Sequence, residues 1–148
     1  MKRYTIKPFP NVSESFTLIV TPNVKKLRIE ISHYLKSMDH CDRGMDLGTT
    51  LGMFSPSSTW EKHKYPGTFS SDMFGTMFLS EDHLGAGYVA HECLHAAMAH
   101  ERQRIRFDMN YGADCDDHEE RLAYYLTYCV REVWNTLINN GHVKESKN

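Results

Sequence analysis

The stretch from Leu84 to His100 limits what this chain can fold into more than any other. It runs Leu84-Gly85-Ala86-Gly87-Tyr88-Val89-Ala90-His91-Glu92-Cys93-Leu94-His95-Ala96-Ala97-Met98-Ala99-His100. Apolar, alanine-rich and free of proline, it predicts a helix whose small residues permit close packing. Within it His91 to His95 reads H-E-x-x-H. At about 100° and 1.5 Å per residue, the two histidines lie about 40° apart on one face and about 6 Å apart along the axis. Two imidazoles and a carboxylate in such a helix are costly unless something satisfies them.

Two histidines at this spacing can bind one Zn²⁺, and Glu92 sits one step round the helix, where it can reach water beside the metal without ligating it. Zinc acidifies such a water and a neighbouring carboxylate can take its proton, so the motif implies a mechanism as well as a ligand pair. Nine histidines in 148 residues make a chance match expected only about 0.04 times.

The whole chain sets the frame. Its 148 residues are expected to form a single domain over 1–148, large enough for a core without disulfides, with a polar tail from about 141. A net charge of −2 and a pI near 6.5 give no electrostatic case for nucleic acid or an anionic membrane. With no apolar stretch at the N-terminus and no run of transmembrane length, a cytoplasmic location is the default expectation. Cys41, Cys93, Cys115 and Cys129 show no C-x-x-C spacing, which suggests free thiols, with Cys93 packed behind the motif.

Read in order, Arg3–Phe9 and Ser15–Thr21 predict strands, punctuated by Pro8, Pro10 and Pro22. Val24, Leu27, Ile31, Tyr34, Leu35 and Met38 recur at helical spacing behind the cap Asn23, and His33 on that helix is a bystander. Asp39–Gly48 reads as a loop, Thr49–Ser55 as a strand, Pro56–Gly67 as a polar turn region and Phe74–Ser80 as a strand entering the motif helix. The edge of this last strand can serve either to hold extended substrate or simply as sheet structure. The motif helix is expected to reach Arg104. After a turn-rich connection over Asp108–Asp117, a last helix spans His118 to about Asn139, closed by Gly141. The fold class is therefore α+β, a small mixed sheet against the motif helix and a C-terminal helix.

A catalytic zinc site uses three protein ligands and an open position. The extension H-E-x-x-H-x-x-G-x-x-H fails, because Met98 and Glu101 stand where glycine and the third histidine belong. His100, about 140° round the helix from His95, faces away. A carboxylate from Asp116-Asp117-His118-Glu119-Glu120 remains. Periodicity turns Glu119 inward, Glu120 lies about 100° away, and either can instead complete a capping box with Asp116 or Asp117. His118, Asp116 and Asp117 are reserve ligands.

Gly87-x-x-Ala90-His91-Glu92-x-x-His95-Ala96, followed by Glu119-Glu120-x-x-Ala123-Tyr124-x-Leu126, resembles small zincin-fold proteins related to the ImmA/IrrE peptidase group. It is similar in particular to short H-E-x-x-H proteins common in bacteriophages and prophages, and the likeness covers Leu84 to Tyr128. It implies a minimal zincin-like metallopeptidase core, and its E-x-x-A pattern prefers Glu120 as third ligand. This chain has no room for the helix-turn-helix domain that many ImmA/IrrE-like proteins carry.

The expected function is a zinc hydrolase, most plausibly a peptidase. It would hold one Zn²⁺ through His91, His95 and Glu120, with Glu92 as general base and Tyr111, Tyr124 or Tyr125 as oxyanion partner. Iron or manganese would also suit such ligands. The rival is a non-catalytic metal-binding protein that recognises a host or phage protein. Either way the expected partner is a peptide or protein.

Overall fold

A computed structural model describes residues 1–10, 13–38, 47–57, 73–107 and 115–143. Its elements are β1 (Lys2–Ile6), β2 (Ser15–Thr21), α1 (Val24–Ser37), a 3-10 turn (Leu47–Thr49), β3 (Met53–Pro56) and β4 (Met73–Ser80). A second 3-10 turn (Glu81–His83), α2 (Ala86–Phe107) and α3 (Cys115–Asn139) complete them. The class is mixed α+β, as expected. The expectations for Asp39–Asp46, most of Pro56–Gly67, Asp108–Asp114 and the tail beyond Val143 fall outside the described residues.

The sheet order is β1-β2-β4-β3, with β2 antiparallel to β1 and parallel to β4, and β3 antiparallel to β4. β2 is buried along nearly its whole length because helices cover both faces. Leu18 and Val20, with Met77 and Leu79 of β4, join the cluster made with α2 and α3. Ile19 and Phe78 instead meet Leu27 and Ile31 of α1. Each such side chain contributes roughly 1.5–3 kcal/mol of hydrophobic stabilisation.

Asn23 caps α1 as the sequence suggests, its side-chain oxygen accepting from the Lys26 N–H at 2.9 Å. Asp82 adds a second cap by accepting from the Val24 N–H at 3.3 Å. Its carboxyl is held below the ordinary range by the Ser80 hydroxyl first, then by His83 and that N–H.

One strand expectation needs correction, and a second, left open between two readings, goes to sheet structure. The segment expected as a strand from Thr49 begins pairing only at Met53, because Thr50 N–H turns back onto the Leu47 carbonyl (3.2 Å) and Arg28 Nε holds the Thr50 carbonyl (3.2 Å). The strand before the motif helix has no free edge over the residues where it pairs with both neighbours, β2 and β3. The outer strand beside α2 is β3.

α2 and α3 meet through small residues, with Val89, Cys93, Ala96 and Ala97 against Tyr125, Cys129, Val133 and Leu137, all buried. Two contacts fix their register. The Cys129 thiol hydrogen-bonds with Cys93, which together with burial drives its pKa well up, and Arg121 Nε and Nη2 both donate to Glu101 Oε1 at 3.2 and 3.0 Å. The helices therefore run antiparallel. Both cysteines are free, as expected.

α3 ends in a Schellman turn, with Gly141 at φ 73° and N–H bonds from His142 to the Leu137 carbonyl and from Gly141 to that of Ile138. The start of the expected polar tail is thus not frayed. His142 places Nδ1 2.6 Å from Glu81 Oε1 and Nε2 2.6 Å from the Tyr4 hydroxyl, and Val143 packs on the core. Burial, then Glu81, raises the Tyr4 pKa.

Candidate metal and hydrolytic site

α2 presents two chemically different faces. Val89, Cys93, Ala96, Ala97 and His100 point inward, while Tyr88, His91, Leu94, His95 and Met98 are exposed. His100 lies in a nest of Phe9, Phe74 and Tyr125 rings, with centroids 4.4, 5.3 and 4.7 Å away. It faces away from the motif histidines, as its helical angle requires.

His91 and His95 converge on the outer face. Their Nε2 atoms are 3.2 Å apart, with the rings edge to face at 4.8 Å between centroids. Two nitrogens bound to one tetrahedral zinc at the usual bond length are separated by about 3.3 Å. The pair therefore has the nitrogen spacing of a zinc ligand pair, here as a direct contact between the two rings. Partial burial first, then the charges of His91 and Arg102, lowers the His95 pKa, which favours the neutral ring that metals bind.

Glu92 turns from the histidines toward the sheet and is only 6% exposed. Burial raises its carboxyl pKa, while His91 and a hydrogen bond from the Phe54 backbone N–H pull it back. The close approach of β3 depends on Gly52, since a Cβ there would lie 3.1 Å from Glu92 Cγ and Oε1. Glu92 and His91 open onto a cleft of about 570 Å³ walled by residues 49–52 on one side and by Gly85, Gly87 and Tyr88 on the other. The sequence reading missed this wall. A glycine inside a strand-like run, here Gly52, was its one signal, because such glycines mark close backbone approach.

No protein-family model, curated protein or solved structure matches this chain.

The remaining candidates are scattered. Glu119 and Glu120 are both exposed, and the inward stripe of α3 runs instead through Tyr125, Cys129, Val133 and Leu137. The pairs Cys93–Cys129 and Glu101–Arg121 set Glu120 level with Arg102, about 10 Å along the axis from His95. Among the described residues, no three His, Cys, Asp or Glu side chains stand together as a group able to hold a metal ion. Tyr125 is buried in the core beside Phe9 and His100. Tyr124 is exposed and stacks on Tyr128 at 6.5 Å. Tyr111 and the side chains of Asp116, Asp117 and His118 lie outside the described set. No described helix is long and apolar enough to cross a membrane.

Proposed function

We propose that this protein is a zinc-dependent hydrolase acting on peptide bonds, with His91 and His95 as two of its metal ligands. The observation that carries this reading is the 3.2 Å convergence of two exposed imidazole nitrogens beside a buried carboxylate at the wall of an open cleft. Zinc held by such ligands supplies Lewis acidity and makes water acidic enough to deprotonate near neutral pH. Glu92 does the protonic work, accepting a proton from water and returning it to the departing amine. Two features suit it to that role. Burial raises its carboxyl pKa above the ordinary value, and the Phe54 N–H and Gly52 hold its position.

The third ligand is assigned to the start of α3, with Glu120 first and Glu119 next, on the sequence resemblance. A ligand role for Glu120 requires the start of α3 to close toward His95 when the ion binds. The second reading is a metal-binding protein that recognises a partner protein without cutting it, and it needs at least as many protein ligands as the hydrolase.

Glu92→Gln separates the two readings. For the hydrolase, this variant keeps its zinc and loses cleavage of a diverse peptide library that the wild type cuts. If the wild-type zinc protein cuts nothing, and a binding partner is held equally by wild type and variant, the hydrolase reading falls.

A further inference from the structure

The face of the sheet that carries α1 lies across the strands from the motif helix and holds a cavity of its own. Within each of the central strands β2 and β4 one interior position is left partly open, Thr17 and Thr76. The two are register partners, about 5 Å apart across neighbouring strands. Thr5 of β1 and Ser55 of β3 continue the same row of hydroxyl-bearing residues. Two residues along, Ile19 and Phe78 are sealed by Leu27 and Ile31 of α1. Thr17 and Thr76 instead open into a cavity of about 370 Å³, whose opposite wall carries Glu30, Tyr34 and Ser37 of α1.

The polar groups around this cavity are mostly donors in search of an acceptor. Arg3 lines it from β1, where its partner is Ile19 and Thr17 is its diagonal neighbour. Among the described residues its guanidinium holds no carboxylate, and the Thr76 and Tyr34 hydroxyls make no hydrogen bond. The Thr17 hydroxyl donates to Met73 Sδ at 3.5 Å, and a thioether is a weak acceptor. A valine at 17 or 76 would serve a strand equally well, so the sheet itself does not call for these hydroxyls. Of the described lining residues Glu30 is the one carboxylate, and Lys26 Nζ already engages it at 3.0 Å. The charge left over is that of Arg3, a planar fork suited to carboxylate or phosphate, with His33 as the other basic residue on the rim.

We propose that this cavity binds a small molecule bearing an oxyanion, a carboxylate or a phosphate, held by the Arg3 fork and the Thr17 and Thr76 hydroxyls with its apolar part against Tyr34. The Tyr34 ring is a fixed wall, edge-on to Phe78 with centroids 5.2 Å apart. The site is separate from His91 and His95, because alternate residues of the same strands, Leu18 and Met77, face the cluster made with α2 and α3. It therefore stands whether or not the protein is a hydrolase.

The test is an NMR titration of the full-length protein with phenyl phosphate, phenylacetate, uncharged phenylacetamide and phenethylammonium. Both anions should shift the Thr17 and Thr76 amides and bind at least about tenfold more tightly than the amide at low salt. The tighter anion names the group the site takes. Arg3→Gln should bring both anions to within about twofold of the amide, and Thr76→Val should weaken them by about threefold or more. Both variants should melt near wild type. Tighter binding of phenethylammonium, which Glu30 would hold, overturns the inference. So do binding that fails to separate anion from amide and undiminished anion binding in Arg3→Gln. Shifts confined to the surroundings of His91 and His95 would put the anion on the proposed metal site and remove the cavity as its binding place.

Discussion

The two faces of α2 use the same residue types for opposite ends. Inward, His100 is enclosed by aromatic rings and Glu101 is gripped by Arg121, so both polar groups serve packing. Outward, His91 and His95 touch each other and stand among exposed apolar side chains. Histidine at the core face fills a hole. At the outer face the same residue has no ring nest around it, and His91 and His95 meet through their Nε2 atoms at 3.2 Å, the spacing the proposed metal site uses. Location rather than composition separates the packed histidine from the pair proposed to bind metal.

The comparison can be broken most forcefully by adding volume. Ala97→Leu, at a fully buried position between α2 and α3, should destabilise by about 1–3 kcal/mol. Met98→Phe, one residue away on the exposed face, should cost under about 0.5 kcal/mol. Urea denaturation of both variants checks the pair, and equal losses would erase the distinction between the faces.

Gly52→Ala comes next. The added methyl meets Glu92 at 3.1 Å, so a loss of about 1 kcal/mol is expected, together with displacement of the carboxylate and reduced turnover at unchanged zinc content. A crystal structure with Glu92 unmoved would show that β3 does not position it.

Glu92→Gln sharpens the contrast through pH. Burial raises the folded carboxyl above its ordinary 4.5, so the folded chain binds the proton more tightly than the unfolded chain does. Stability therefore falls as pH climbs from the unfolded value through the folded one. The glutamine variant, which carries no such penalty, should be more stable than wild type at pH 7 in the metal-free state. That advantage should vanish below about pH 4. Thermal melts across pH would show it, and a glutamine variant less stable at pH 7 would contradict the assigned cause.

The smallest effect is expected at Gly87→Ala. With open space around the new Cβ, the helix should gain about 0.5–1 kcal/mol, readable as a rise in melting temperature. A loss would mean that glycine there has a structural purpose.

Much of this was legible in the residues. Ser15–Thr21 declared a strand through its run of apolar and β-branched residues, the Asn23 cap and the Gly141 stop hold as written, and helical angle alone turned His100 away from His95. Other features depend on long-range pairing. Whether the strand before α2 was edge or centre turned on where β3 docks, which local pattern does not encode. Likewise the phase of α3 was misread at Glu119, because its inward stripe is set by packing on α2 through Tyr125 and Cys129. The cleft wall at residues 49–52 was hidden because it is built from backbone turning beside Glu92, with little side-chain signal beyond Gly52.

Metal content tests the central claim most directly. Untagged protein, purified without chelator and analysed by elemental mass spectrometry, should carry one zinc per chain, falling to none in His95→Ala, with Glu120→Ala and Glu119→Ala identifying the third ligand. No zinc in the wild type even after zinc is added back, or full retention in His95→Ala, would contradict the assignment of His91 and His95 as a metal pair.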